Sequence, residues 1–266
     1  MGHSHYSDDF YKDRVADRVA RGVPTFDHDH AVRTGATANK VHDRLNPYGK
    51  TRESRDSVEH PESNAIAVIL DVTGSMQSVP RIVQAAIPKL MALLLKKAYI
   101  TDPQILFGAV GDYFADHVPL QIGQFESVIE MDDDITKVVL EGGGGGQNTE
   151  SYQDAMYFVA RHTSIDCWEK RGKKGYLFLI GDEAPFKKAT CEEIKELIGD
   201  NLEKDLTTIE IVAELREKYH VFFIIPTGAS NTSAGWLSDT WTTLLGPENV
   251  LRLDNPKDVC ELIGAT

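Results

Sequence analysis

Short apolar runs alternate with stretches of helical spacing along most of this chain, and that alternation limits the folds open to it. Ala65–Asp71, Gln104–Val110, Tyr176–Ile180 and Val221–Ile225 are five to seven residues long and mostly aliphatic or aromatic. Runs of this kind suit parallel strands covered on both faces. Val118–Ile122 and Val250–Leu253 read as two further strands, with room for one antiparallel member around Asp112–Pro119. Helical spacing covers Pro80–Ile100, Ile129–Leu140, Thr149–His162, Cys191–Ile198, Ile209–Tyr219, Trp236–Leu245 and Pro256–Ile263. Pro80 stands at a tolerated first-turn position, whereas Pro88 predicts a kink or break in its helix. The expected fold is α/β: a doubly wound, mostly parallel central sheet flanked by helices.

The first 62 residues have another texture. They hold ten Lys and Arg against eleven Asp and Glu, six of the nine histidines, and few aliphatic residues. Asp9–Arg21 predicts one short amphipathic helix on Phe10, Val15 and Val19, bounded by Gly22 and Pro24. The rest of 1–62 reads as an irregular arm, extended or partly disordered until it meets a partner or packs across the domain over 63–266. His28-Asp29-His30 has metal-like composition but no companions in sequence, so a solvated loop is expected.

The net charge of −13 lies almost wholly beyond the arm. A chain this acidic is a poor binder of phosphate backbones, so no nucleic-acid partner is expected. No apolar run approaches a membrane span. The opening residues lack a secretory signal, and Tyr6 breaks the myristoylation pattern. Cys167, Cys191 and Cys260 are widely spaced and odd in number, which argues against a disulfide framework or zinc knuckle and for a cytoplasmic setting. Cys167 reads as a buried small residue, and Trp236 and Trp241 as packing residues.

Three loops at the expected carboxyl ends of strands carry oxygen donors, where open α/β sheets bind ligands. In the first, Asp71, Thr73 and Ser75 follow one another at i, i+2, i+4, with Gly74 permitting the backbone this demands. One carboxylate and two hydroxyls form a hard-oxygen half-site suited to Mg2+. The second is Gly142–Gly146 followed by Gln147-Asn148-Thr149-Glu150. Five glycines argue for close backbone approach, and the Thr149 hydroxyl serves either as a helix cap or as a ligand. In the third, Asp182 ends the Tyr176–Ile180 strand as Asp71 ends its own. Asp112 reads equally as a turn residue or a fourth acid, and Glu183 as a solvated neighbour.

Asp71-x-Thr73-x-Ser75, a threonine after a glycine loop, and Asp182 after a central strand together resemble the metal-ion-dependent adhesion site of von Willebrand factor A (vWA) domains. The resemblance runs along 63–266 and is to bacterial and phage members more than to animal ones. It implies a single Mg2+ or Mn2+ held by Thr73, Ser75 and Thr149, with Asp71 and Asp182 holding coordinated waters, and one position left for a partner's carboxylate. Three features depart from the family pattern: Thr73 where serine is commoner, Glu183 where glycine usually follows the third acid, and a longer second loop. That last departure leaves Asn148, Gln147 and Glu150 as alternatives to Thr149.

The function implied is a non-catalytic, metal-dependent protein-interaction module whose partner presents Asp or Glu. By the same resemblance it works beside an AAA+ ATPase of the MoxR type or within a larger assembly. One alternative is a structural subunit with a vestigial site. Another, minor, is a haloacid-dehalogenase-like phosphatase with Asp71 as nucleophile. That chemistry needs an acid two residues on, where Thr73 stands. Walker A, Gly-x-Ser-x-Gly and His-Glu-x-x-His sequences are lacking.

Overall fold

In the computed structural model, residues 26–266 are described apart from 98, 128, 129, 144 and 145, together with residues 20 and 22. The helix expected over Asp9–Arg21 and the histidines His3 and His5 lie outside the described residues, except that Ala20 is helical.

Six strands build the central sheet: β1 (Asn64–Asp71), β2 (Pro103–Val110), β3 (Leu120–Glu126), β4 (Gly175–Ile180), β5 (Tyr219–Pro226) and β6 (Val250–Leu253). Their order across the sheet is β6-β5-β4-β1-β2-β3. All neighbours run parallel except β3, which is antiparallel to β2. From β1 the chain moves outward to β2 and β3, then returns to β4 on the other side. The topological switch point therefore lies between β1 and β4, paired through Leu70 and Ile180 at their carboxyl ends.

Side chains alternate along each strand and feed two cores. Ala65, Ala67, Ile69, Leu177, Leu179 and Phe223 face helices Tyr152–Arg161, Thr208–Lys218 and Gly235–Leu245. Ile66, Val68, Leu70, Phe178, Ile180 and Ile224 face helices Val79–Ala86, Pro88–Lys97 and Val259–Ala265. Strands apolar on both faces need both layers, which explains why the runs read as nearly continuous hydrophobics. Trp241 is fully buried and stacks on Phe223 with ring centroids 3.9 Å apart. The long helix expected over Pro80–Ile100 is two helices, broken at Ile87 before Pro88. Among the described residues no helix is long and apolar enough to cross a membrane.

Two of the helix boundaries that differ from expectation bear on the candidate site. The helix expected over Ile129–Leu140 spans Glu130–Thr136. Beyond it, the Gln121 side chain on β3 takes both backbone bonds of Val139, at 2.8 and 2.9 Å, and so pulls that segment out of the helix. The helix expected from Thr149 begins at Tyr152, because Thr149–Glu150 pairs as a short parallel strand with Ala184–Pro185.

Residues 26–62 pack along the β3 edge and across one face. The Leu45 carbonyl accepts the Ile122 amide at 2.7 Å, and Arg52–Ser54 pairs in parallel with Thr163–Ile165. This covers backbone groups that an edge strand otherwise leaves open. His28-Asp29-His30 is not a loop. It lies in the helix Asp27–Arg33, where the buried Asp29 carboxylate takes the Arg33 guanidinium at 2.9 Å.

Candidate metal centre

Asp71 is the last residue of β1 and is fully buried. Its Oδ1 accepts the Thr73 hydroxyl at 2.6 Å and the Thr73 amide at 2.9 Å. Its Oδ2 accepts the Tyr152 hydroxyl at 2.5 Å. Thr73 Oγ1 stands 3.3 Å from Ser75 Oγ, and Ser75 Oγ donates to Asp182 Oδ1 at 2.6 Å. Asp182, two residues past β4, also accepts the Asn231 amide at 2.9 Å. A continuous chain of oxygens thus links Asp71, Thr73, Ser75 and Asp182 across the switch point. Close approach explains Gly74. A Cβ on Gly74 would lie 2.9 Å from the carbonyl oxygens of Gly142 and Gly143, and the Gly74 amide donates to Gly143 O at 2.6 Å.

Thr149 is not brought into this cluster. Successive strand residues face opposite ways, and it is Glu150 that turns inward. Thr149 lines an apolar groove with Phe114, Ala184 and Phe186. Asn148 holds a positive φ of 58°, and Gln147 Nε2 donates to Asp112 Oδ2 at 2.9 Å. Glu150 is buried, and among the described residues its Oε2 meets no hydrogen-bond donor. Asp112 is buried, as is Glu183, which corrects the expectation of a solvated neighbour. The Glu183 carbonyl accepts the Trp241 indole N–H at 2.9 Å, which draws the residue inward.

Sequence reasoning named Glu150 only as an alternative to Thr149, and it missed Tyr152 and the loop after β5, whose Ser230 amide and hydroxyl both donate to the Ser75 carbonyl at 2.9 and 3.0 Å. The polar run Ser230-Asn231-Thr232 past a strand end is the signal that would have found the last of these.

The electrostatics are one-sided. Burial pushes the Asp71 carboxyl up to about 7, with the charge of Asp182 adding and the bonds from Thr73 and Tyr152 opposing. Burial also drives Glu150 upward, reinforced by the charges of Asp71 and Glu183. Glu183 rises for the same first reason, desolvation. Among the described residues, no Lys, Arg or His forms an ion pair with Asp71, Asp112, Glu150, Asp182 or Glu183. No group of three His, Cys, Asp or Glu among them is arranged to hold a metal ion. The donors brought together are two carboxylates and two hydroxyls. An oxygen-only set with an orphaned buried carboxylate oxygen nearby and no compensating cation fits a hard divalent ion such as Mg2+ or Mn2+, which keeps several waters.

No protein-family model and no curated protein matches the sequence. Solved structures do match. The pilus adhesin SpaC from Lactobacillus rhamnosus GG, in its open conformation, superposes with a TM-score of 0.55 at 8% identity, over 82% of this chain and 31% of that one. The vWF domain of the type V pili tip protein Mfa5 from Porphyromonas gingivalis gives 0.50 at 8% identity, over 81% of this chain and 95% of that one. The fold is vWA-like. Proximal thread matrix protein 1 from the mussel byssus shares it, with a TM-score of 0.51 and 11% identity over 76% of this chain and 46% of that one. This vWA-like chain spans about a third of SpaC and under half of the byssus protein.

Proposed function

We propose that this chain is a non-catalytic protein-interaction module that binds a partner's Asp or Glu through one Mg2+ or Mn2+ at the carboxyl end of the sheet. The observation that carries this reading is the unbroken Asp71–Thr73–Ser75–Asp182 oxygen chain at the switch point between β1 and β4. Thr73 and Ser75 offer hydroxyl oxygens to the ion, and Asp71 and Asp182 hold its waters. Bound there, the ion supplies the positive charge that an acidic chain needs to attract a carboxylate. Tyr152 orients Asp71, and the Asn231 amide orients Asp182. Thr149 stays part of the proposed set only through movement of its short strand, and Glu150 is placed to contribute in its stead.

Support for a binding role over catalysis comes from Asp71 itself. It is fully buried with three donors on its two oxygens, which leaves no approach for a phosphoryl group. A place beside a MoxR-type AAA+ ATPase, in the cytoplasm, remains part of the proposal on the strength of the sequence resemblance and the three spaced cysteines. The rival, a structural subunit with a vestigial site, differs in ignoring chelators.

The test is calorimetric titration of Mg2+ and Mn2+ into chelator-stripped protein. One saturable site is expected, lost in Asp71→Ala and retained in Thr149→Ala. Absence of binding to folded wild-type protein would sink the metal bridge and favour the structural role.

A further inference from the structure

The helix Asp27–Arg33 lies against the segment that leads into the glycine loop, with polar contacts to Lys137 and Leu140, while Asp29 also faces the Arg81 guanidinium at 4.0 Å. Lys137 Nζ meets Asp27 Oδ2 at 2.5 Å. The Leu140 amide donates to Asp29 Oδ1 at 3.1 Å, and the Arg33 guanidinium donates to the Leu140 carbonyl. Asp29 and Arg33 are themselves joined through 2.9 and 3.0 Å bonds, so the two contacts on Leu140 form one fork. Asp29 is 3% exposed, and Phe26, just before the helix, is 3% exposed within the core beneath.

The backbone beyond Leu140 reaches the candidate metal centre directly. The Gly142 amide donates to Val72 O at 3.3 Å, and Gly143 O accepts the Gly74 amide at 2.6 Å. Val72 and Gly74 interleave with Asp71, Thr73 and Ser75. The connection thus runs without interruption from the Asp29–Arg33 fork, through Leu140 and Gly142–Gly143, to the loop carrying the oxygen donors. Glycines have the largest conformational freedom to lose on ordering, so a fixed point just before them limits the entropy that an ion would otherwise have to remove.

We infer that Asp29 and Arg33 are positioning residues. They hold the start of the glycine loop against the Asp71–Ser75 loop and so raise that loop's affinity for its divalent ion. The affinity part rests on the metal reading above, while the strap itself does not.

The experiment separates the two. Amide hydrogen exchange on chelator-treated full-length protein is compared for wild type, Asp29→Ala, Asp29→Asn and the distant control Glu214→Ala, which loses only the Arg161 ion pair. Faster exchange at Leu140, Gly142 and Gly74 is expected in Asp29→Ala, with Val68 in the β1 core unchanged. Partial recovery is expected in Asp29→Asn, which keeps an oxygen for the Leu140 amide. Mg2+ titration of the same proteins should show the dissociation constant rising about tenfold in Asp29→Ala, equivalent to about 1.4 kcal/mol, and staying unchanged in Glu214→Ala. Unchanged exchange at Gly74 and Gly142 would overturn the strap. Faster exchange with unaltered Mg2+ affinity would overturn its coupling to the site. Wild-type protein that binds no Mg2+ would defeat the metal reading and with it the affinity role, leaving exchange at Gly74 to decide the strap alone.

Discussion

A Cβ placed on Gly181 would sit 1.8 Å from the Tyr152 hydroxyl oxygen, the group that donates to Asp71. Gly181→Ala is therefore expected to displace Tyr152 and cost about 1–3 kcal/mol, as overpacked cores do. A urea denaturation midpoint equal to wild type would refute that. Asp154 offers a second test at this scale. It is fully buried, neither carboxylate oxygen meets a donor among the described residues, and the Glu193 carboxylate faces it from the helix Cys191–Leu197. Burial first, and the charge of Glu193 second, push its carboxyl well above the usual range. The folded state then holds this proton more tightly than the unfolded chain. Stability falls as pH rises above the unfolded carboxyl value of about 3.9. Asp154→Asn removes that slope, so its midpoint should gain on wild type as the pH rises from about 4 toward neutrality. A constant difference across that range would show that Asp154 does not titrate as argued.

At the scale of elements, two helices begin in reciprocal caps written as Thr-x-x-Glu. Thr207 Oγ1 accepts the Glu210 amide at 3.2 Å while Glu210 Oε2 accepts the Thr207 amide at 2.8 Å, and Thr190 with Glu193 does the same. Thr207→Ala should cost about 1 kcal/mol, read as a lower thermal midpoint with the metal titration unaltered. Such local signals are legible in sequence because both partners lie within one turn. The break at Pro88 is legible for a similar reason, since a ring without an amide hydrogen acts on its own helix. The boundary at Thr149 is not. A helix there satisfies the local pattern, but the Ala184 amide donates to Asn148 O at 3.2 Å, and that partner comes from another strand end. Which of Thr149 and Glu150 faces Asp71 is set by this pairing and by nothing near them in the chain.

At the scale of the molecule, the charge of −13 and the acids gathered at the switch point lead to the expectation that divalent ions stabilise the folded state. A ligand that binds only the folded form stabilises it by about 2.7 kcal/mol at a hundred times its dissociation constant. For a chain of this size that is a rise in Tm of about 5–10 °C. Wild-type protein should show it with Mg2+ and Asp71→Ala should not. Equal shifts in both would mean general screening of charge and no specific site. The segment 26–62 also belongs to this scale. Its sparse aliphatic residues read as an arm, yet Phe26 and Leu45 are core residues and Arg52 reaches the Ile122 carbonyl at 2.7 Å. Isolated anchors of that kind leave no periodicity to read.

The strands and the carboxylates at their ends are written in the chain itself. Apolar runs covered on both faces leave a buried parallel sheet as the way to pair their backbone, and Asp71-x-Thr73-x-Ser75 carries its spacing in one short loop. Strand adjacency came from the folded arrangement alone. The order β6-β5-β4-β1-β2-β3 sets β4 beside β1, and only that brings Asp182 within hydrogen-bond reach of Ser75. The same arrangement buries Glu150 and Glu183 and carries Asp29 to Leu140. The difference is one of range. Hydrophobic periodicity and capping act over a few residues, whereas burial of a charge and adjacency of strands depend on how the two cores close around the sheet.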